Sequence, residues 1–403
     1  MKRIAYLLHR FPGITDTFIK REIRSLQGSG TQVRVISVWK PDDRFTTADI
    51  LSEWAADTFF VLPCPIWSIG GTVLGEFLRA PGRFCATLWF ALSTSRPGFR
   101  GFAYQLFYFV EAALAARELR RWTAYHVHNH IGDQGGTVTM LAAKLAGIDY
   151  SITFHGWPVF FDAKDARIKE KVLDARFTRS ISYFCRSQLM MFSGCDDPQP
   201  FKVIHCGLPL EKYQYRPPRL TIERLFCAAR LSPEKGLTFA IEALRLLVDR
   251  GHDLQLRLAG DGPSKTHLQQ FVAALGLTDR VKFIGFLTEA EVIEELQKAD
   301  LFVLPSFVEG LPVSAMEALA IGVPVIATNI AGTSELIEDG RTGLLIRPSD
   351  PIALADAVVK MIADHDFRLR AAAEGRKKVE REFDVEKETE KLREALLQCC
   401  GSD

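Results

Sequence analysis

The 403-residue chain is poor in the devices by which many proteins hold metals, enter membranes or attract polyanions. Its eight cysteines (Cys64, Cys85, Cys185, Cys195, Cys206, Cys227, Cys399 and Cys400) contain no C-x-x-C pair and no Cys/His spacing that fits a zinc site. They are expected to be reduced, mostly buried thiols of a cytoplasmic protein. Lys and Arg total 50 against 49 Asp and Glu, a formal charge of +1, so no global field draws nucleic acid or another large polyanion. Only five apolar residues follow the opening Met-Lys-Arg before His9 and Arg10, too few for the apolar region of a signal peptide, and no cleaved targeting segment is expected. The one Asp-x-Asp in the chain, Asp364 to Asp366, ends a helical pattern, so no acidic pair for a divalent cation follows a strand. Neither a metal nor a cofactor is expected.

What is present is apolar residue in periodic runs. A 47% hydrophobic fraction over this length exceeds what one growing core needs, and two domains are expected. The stretch RIAYLLHRFPGITDTFIKREIRSLQGSGTQVRVISVW runs strand, loop, helix, strand, with an N-cap at Thr15 or Asp16 and a stop at Gly28 and Gly30. AYHVHNHIGDQGG and DYSITFHGW are two further apolar runs that end in polar residues and glycine, the ends that face the ligand crevice of an open α/β sheet. From about residue 207 strands are expected at 225–229, 254–258, 281–284, 301–304, 324–327 and 343–346, separated by helical patterns. The fold class expected is α/β, with two Rossmann-like doubly wound domains at 1–205 and 206–375 and a C-terminal helix assigned to 376–403, whose pattern runs at about 385–398 and could pack on either domain.

Residues 67–125 stand apart. They hold 13 of the 42 aromatic residues, seven arginines and three glutamates, with no Lys or Asp, and no run there approaches the roughly 20 apolar residues of a spanning helix. Two readings stay open. One is a set of amphipathic helices on the anionic inner face of the cell membrane, anchored by Trp67, Trp89 and Trp122. The other is an aromatic core under the first sheet.

PSFVEGLPVSAMEALAIGVPVIATNIAG, residues 305–332, sets Glu309 and Glu317 eight positions apart around a Gly-Leu-Pro break. Pro312 suits the first turn of a helix and Gly322 to Pro324 supply its stop, so a helix is expected over about 312–321. Its start follows the strand DLFVLP and offers free N–H groups and a positive dipole end to an anion such as phosphate. A carboxylate beside a phosphate would repel it, so the two glutamates must be aimed elsewhere. A nucleoside diphosphate sugar resolves the conflict: the diphosphate sits on the helix end, and each carboxylate accepts hydrogen bonds from the hydroxyls of one sugar. AARLSPEKG, after the first strand of the same domain, adds Arg230 and Lys235 as cations for the diphosphate.

RLSPEKGLTFAIEAL, LAGDGP, VKFIGFL, ADLFVLPSFVEGLPVSAMEALAIGVPVIAT and GLLIRPSD together resemble the successive signatures of the retaining glycosyltransferases of family 4, which have the GT-B fold. The likeness is nearly continuous from 203 to about 362. RFPGITDTFIKREIRSL and HVHNHIGDQGGTVTMLAAKLAGIDYSITFHG resemble the subgroup that assembles exopolysaccharides such as colanic acid. That subgroup usually reads Ser-Glu-Thr where this chain has Thr15, Asp16 and Thr17. The resemblance implies two domains facing across a cleft, a nucleotide diphosphate sugar donor (UDP-hexose), and a saccharide or lipid-linked saccharide acceptor. It assigns Arg230 and Lys235 to the donor diphosphate, Glu309 to the transferred sugar and Glu317 to the ribose. Gly310, Leu311, Pro312 and Val313 would touch phosphate and sugar, Ile284 within 281–285 would line the base, and Gly13 would face the diphosphate. His155 matches the family histidine near the reacting sugar. His126, His128 and His130 alternate along a strand, which is expected to keep them from all facing one side; His130, at the strand end, is the acceptor-site candidate.

Two rival readings remain at this level. A nucleotide-sugar epimerase of the same architecture would isomerise free donor and need no acceptor, and a non-catalytic nucleotide-sugar-binding scaffold would bind donor without turnover. A hydrolase using Glu309 and Glu317 as a carboxylate pair fits less well, because the two flank a phosphate site and no single scissile bond. A phosphorylase would need a pyridoxal lysine that no motif marks.

Overall fold

The computed structural model describes residues 3–399 apart from 15, 43–45, 157 and 158. The chain divides into two compact units, residues 1–205 with 385–403, and residues 206–384.

The first unit holds seven strands: β1 (Arg3–Arg10), β2 (Gln32–Trp39), β3 (Thr58–Leu62), β4 (His126–His130), β5 (Asp149–Phe154), β6 (Phe177–Ser180) and β7 (Phe201–Val203). They form one parallel sheet in the order β3-β2-β1-β4-β5-β6-β7. The helix Thr17–Gly28 returns the chain from β1 to β2 and turns Ile19, Ile23 and Leu26 inward, the three-and-four spacing of an amphipathic helix. Asp16 is its N-cap, without a side-chain cap bond; Thr15 lies outside the described residues.

The second unit holds six: β8 (Arg224–Ala228), β9 (Gln255–Ala259), β10 (Val281–Gly285), β11 (Leu301–Leu304), β12 (Val325–Thr328) and β13 (Leu344–Ile346). Each lies within a residue or so of its sequence expectation at either end. Their order is β10-β9-β8-β11-β12-β13, again all parallel. Both sheets are therefore doubly wound, and each reverses its direction of growth once, between β1 and β4 in the first unit and between β8 and β11 in the second. At such a switch point neighbouring crossovers leave on opposite faces, which opens a crevice at the carboxyl ends of the two strands.

The segment expected to begin at 376 is not one element. Residues up to 382 complete the helix His365–Glu382 in the second unit, and the last helix, Val385–Gln398, belongs to the first. Its apolar stripe decides this: Leu392, Ala395 and Leu396 are buried in one core with Ile19, Ile23 and Leu26.

Between β3 and β4 come the helices Ile66–Arg79, Pro81–Ser93 and Phe99–Arg121. Phe84 and Phe109 are buried in the core of the first unit, so part of the aromatic cluster is core. Trp67 and Trp89 are exposed. Trp122 departs from the anchor role expected of it: it is half-buried, with the Arg3 guanidinium 6.0 Å from its ring.

Candidate active site

In the second unit the loop after β8 carries Arg230 and Lys235, and the loop after β11 carries Glu309. These are the two loops of the switch point. They are stitched together: the Phe307 N–H donates to the Glu234 carbonyl at 2.8 Å, and Phe239 meets Phe307 edge-on at 5.6 Å between centroids. Gly236 permits the approach. It has φ +58°, and a Cβ there would fall 2.2 Å from the Pro305 carbonyl oxygen, so a side-chain-bearing residue would force the loops apart.

Lys235 Nζ lies 2.7 Å from Glu309 Oε1, and Ser306 Oγ donates to the same oxygen at 2.7 Å. Seventy-four positions of sequence separate the pair. Arg230 is exposed on the same loop and makes no side-chain hydrogen bond or ion pair among the described residues. Lys235 and Glu309 are thus brought together, while Arg230 stands free in the loop beside them.

The helix Val313–Ile321 begins three residues after Gly310. Pro312 is its N-cap, one position before the place expected of it, and no side chain caps the end. Gly322 closes it in the left-handed region at φ +90°. From Ala315 to Ile321 every residue is buried, which is why this segment shows no amphipathic period. Glu317 is the one carboxylate in that run. Its Oε1 accepts from the Tyr213 hydroxyl at 2.9 Å, and the Tyr213 carbonyl in turn accepts from Arg376 at 2.6 Å. Leu311 and Pro312 are buried, whereas Gly310 and Val313 are partly open. Ile284 is partly exposed and sits at an irregularity in the pairing of β10 with β9.

The first unit concentrates its chemistry at the carboxyl ends of β1, β4 and β5. Gly13 donates its N–H to Asp16 Oδ2 at 2.6 Å, so this loop is closed by its own aspartate. Burial raises the Asp16 carboxyl above its ordinary range, against the pull of the Gly13 N–H and Lys20. His130 is buried, with Nδ1 at 3.0 Å from His155 Nε2 and Nε2 at 2.9 Å from Glu22 Oε1. The acceptor contact expected of His130 does not fit this placement, because both ring nitrogens already serve internal partners. Glu22 also accepts from the Tyr6 hydroxyl at 2.6 Å and pairs with Arg179. Burial pushes the Glu22 carboxyl up, but Arg179 and His130 hold it well below the usual range. Burial and the neighbouring His130 and Arg179 lower His155 well below the ordinary histidine value.

The three histidines of β4 share one face, contrary to expectation. Positions two apart on a strand point the same way, and His126 and His128 both hydrogen-bond the Ser151 hydroxyl, at 2.8 and 2.7 Å. Glu22, His128 and His130 place ligand atoms within 4.8 Å of one another, a spacing that could hold an ion. Each is already saturated, however: His128 Nε2 bonds Thr153 at 2.8 Å, and Glu22 is neutralised by Arg179. The donor set fits a hydrogen-bonded relay better than a metal.

Sequence reasoning missed Glu22, Arg179, Tyr213 and Ser306. Two left a readable signal. Glu22 lies on the apolar stripe of its helix, and Arg179 sits inside a strand with every residue buried.

Residues 218–378 match the family described as glycosyl transferases group 1. The chain carries a group 1 glycosyltransferase domain. The matched range spans β8 to β13 and therefore both loops of the Lys235–Glu309 pair. The glycosyltransferase is 28% identical to Salmonella typhimurium WcaL, named as a colanic acid biosynthesis glycosyltransferase, over 94% of this chain and 96% of that one. It is 36% identical to the amylovoran biosynthesis glycosyltransferase AmsK of Erwinia amylovora, over 40% of this chain and 41% of AmsK. Anabaena HepE, solved in complex with UDP-glucose, superposes with a TM-score of 0.75 at 19% identity, covering 99% of this chain and 100% of HepE. That likeness establishes the fold: two parallel-sheet Rossmann-like domains with GT-B neighbours.

Proposed function

We propose that this glycosyltransferase moves a hexose, with retention, from UDP-hexose to a saccharide or lipid-linked saccharide acceptor in exopolysaccharide biosynthesis. The observation that carries the reading is the Lys235–Glu309 pair at the switch point of the second sheet, beside the uncapped start of the helix Val313–Ile321. A cation and a helix N-terminus there suit the diphosphate and the charge it develops on leaving, and a carboxylate suits the sugar hydroxyls. The names of WcaL and AmsK support the pathway, and the UDP-glucose complex of HepE supports the donor class.

In this reading Lys235, Arg230 and the helix start bear the charge that develops on the departing diphosphate. Glu309 orients the transferred sugar, and Ser306 holds its Oε1 in place. Glu317, positioned by Tyr213, takes the ribose hydroxyls, and Ile284 lies against the base. His155 is the polar side chain of the first unit for a saccharide hydroxyl. The acceptor attacks from the face the diphosphate leaves, and a phosphate oxygen takes its proton, so no strong protein base is required.

The test is a panel of nucleotide diphosphate sugars scored by protection from thermal unfolding, followed by transfer assays with the protecting donor and saccharide acceptors. A ligand specific to the native state at 100 times its Kd stabilises by about 2.7 kcal/mol, a shift readily resolved. Protection by UDP-hexoses with acceptor-dependent release of UDP supports the reading. Isomerised donor without acceptor would replace it by an epimerase, and protection without any turnover by a scaffold.

A further inference from the structure

The first helix of residues 66–121 is built inside out, and the next two leave large apolar side chains in the open. In Ile66–Arg79 the two buried residues are polar, Thr72 and Glu76. Thr72 accepts from Arg117 at 2.7 Å, and Glu76 pairs with Arg120, both arginines on the helix Phe99–Arg121. The apolar residues face out: Trp67, Leu74 and Leu78, spaced seven and four apart on one stripe, are 78, 57 and 68% exposed. Between them lie Gly70, Gly71 and Gly75, also exposed. Pro81–Ser93 buries Thr87 together with Phe84 and Ala91 and leaves Trp89 exposed. In the first half of Phe99–Arg121, Phe99 and Phe102 are exposed while Gln105 is fully buried, with neither its Oε1 nor its Nε2 bonded among the described residues. A helix on a domain that meets only water turns its apolar side inward. Ile66–Arg79 does the reverse, and the two helices after it, which anchor themselves through Phe84, Ala91 and Phe109, still leave large aromatic side chains on the outside.

The charges on this face have one sign. Within 66–107 the charged residues are Glu76, Arg79, Arg83, Arg96 and Arg100. Glu76 is buried against Arg120, and Arg96 is paired with Asp162 and Asp165. That leaves Arg79, Arg83 and Arg100 exposed and, among the described residues, without an ion pair. No described helix is long and apolar enough to cross a membrane.

We propose that this face docks on an anionic bilayer, with Trp67, Leu74, Leu78, Trp89 and Phe99 entering the headgroup and acyl boundary and Arg79, Arg83 and Arg100 meeting lipid phosphates. Tryptophan and arginine together on an apolar surface that bears no exposed carboxylate are the composition that a lipid interface selects. The inward Arg117 and Arg120 hold the helix Ile66–Arg79 with its apolar side out, so the orientation is built in before any lipid is met. The proposal is independent of the donor chemistry: a chain without transferase activity would still dock.

The test is flotation of the full chain with vesicles of phosphatidylcholine, alone or with roughly one-third phosphatidylglycerol, over a salt series. Flotation with the anionic vesicles and release as salt rises are expected. Arg79→Gln, Arg83→Gln and Arg100→Gln should each weaken binding roughly fivefold at low salt, since an arginine near an anionic surface contributes about 1 kcal/mol. The double variant Trp67→Ser/Trp89→Ser should weaken it by roughly tenfold or more, the loss expected for large apolar side chains that no longer leave water. These residues are exposed, so thermal midpoints and protection by UDP should not change, which separates failed docking from a failed donor site. No flotation, equal flotation with both vesicles, or unchanged binding by the tryptophan variant would overturn the proposal. So would a lipid-free dimer that the same tryptophan substitutions abolish, because the face would then be an interface between two copies.

Discussion

Glu309→Gln and Lys235→Ala should both slow transfer yet move nucleotide affinity in opposite directions. In the second unit Lys235 is engaged by Glu309 at 2.7 Å, so a diphosphate has to compete with that carboxylate for the ammonium. The two side chains are 21 and 10% exposed, and at an effective dielectric of about 20 and a charge separation of about 4 Å their attraction is about 4 kcal/mol. Desolvation of the two charges offsets most of this, which leaves roughly 1 kcal/mol. Glu309→Gln keeps the shape and the Ser306 contact but removes the competing charge, so UDP should bind as tightly as before or up to roughly fivefold more tightly. Lys235→Ala removes a charge-assisted contact to the diphosphate and should weaken UDP by about tenfold or more. Turnover should fall at least about a hundredfold in each, the loss typical of one transition-state contact. Titration calorimetry with UDP and initial rates with a reacting donor separate the two effects. Equal loss of UDP affinity in both variants would refute the pairing as a competitor for the diphosphate. Near-native turnover in a folded Glu309→Gln would refute its place at the reacting sugar.

Tyr213→Phe removes the hydroxyl that Glu317 accepts at 2.9 Å; it should raise the KM for donor several-fold with little change in kcat, because the ribose does not change during the reaction, and a kcat loss with unchanged KM would contradict the ribose assignment. Acid should destabilise the first unit. Burial pushes His126 down to about 3 and His128 well below its ordinary value, so between about pH 4.5 and 6.5 the unfolded chain binds more protons at these sites, and stability falls as pH falls. Burial raises Glu111 to about 7, which works the other way over the same window, but three buried histidines of this unit, His126, His128 and His155, are lowered against that one carboxyl, so the net change is a loss of stability toward acid. Urea unfolding at pH 5.0 and 6.5 measures this, and a chain equally stable at both would refute it. Transfer should survive excess EDTA after exhaustive dialysis, because Lys235, Arg230 and the helix start supply about two and a half positive charges to the diphosphate; activity lost with EDTA and restored by magnesium or manganese would mean that these cations are insufficient.

How much was legible from the chain alone follows from the range over which each feature is determined. Apolar runs of four or five residues bounded by Gly, Pro and charged turns are local patterns, and the six strands of the second sheet lie close to where those runs end. The start and stop of the helix Val313–Ile321 are local too, set by Pro312 and Gly322. So are Glu309, Glu317, Arg230 and Lys235 as residue types, because the short motifs that hold them are read directly from the chain. Their partners are not local. Lys235 meets Glu309 only because β8 and β11 become neighbours at the switch point, and Glu317 is held by a tyrosine 104 positions before it. Nothing within a few residues of His130 reveals that Glu22, itself paired with Arg179 157 positions away, will take up its Nε2. In the helix Ile66–Arg79 the apolar stripe is visible in the sequence, but periodicity carries no sign. It shows that two faces differ and leaves open which one meets the protein. Arg117 and Arg120, on another helix, decided that by binding the polar face and turning the apolar one outward.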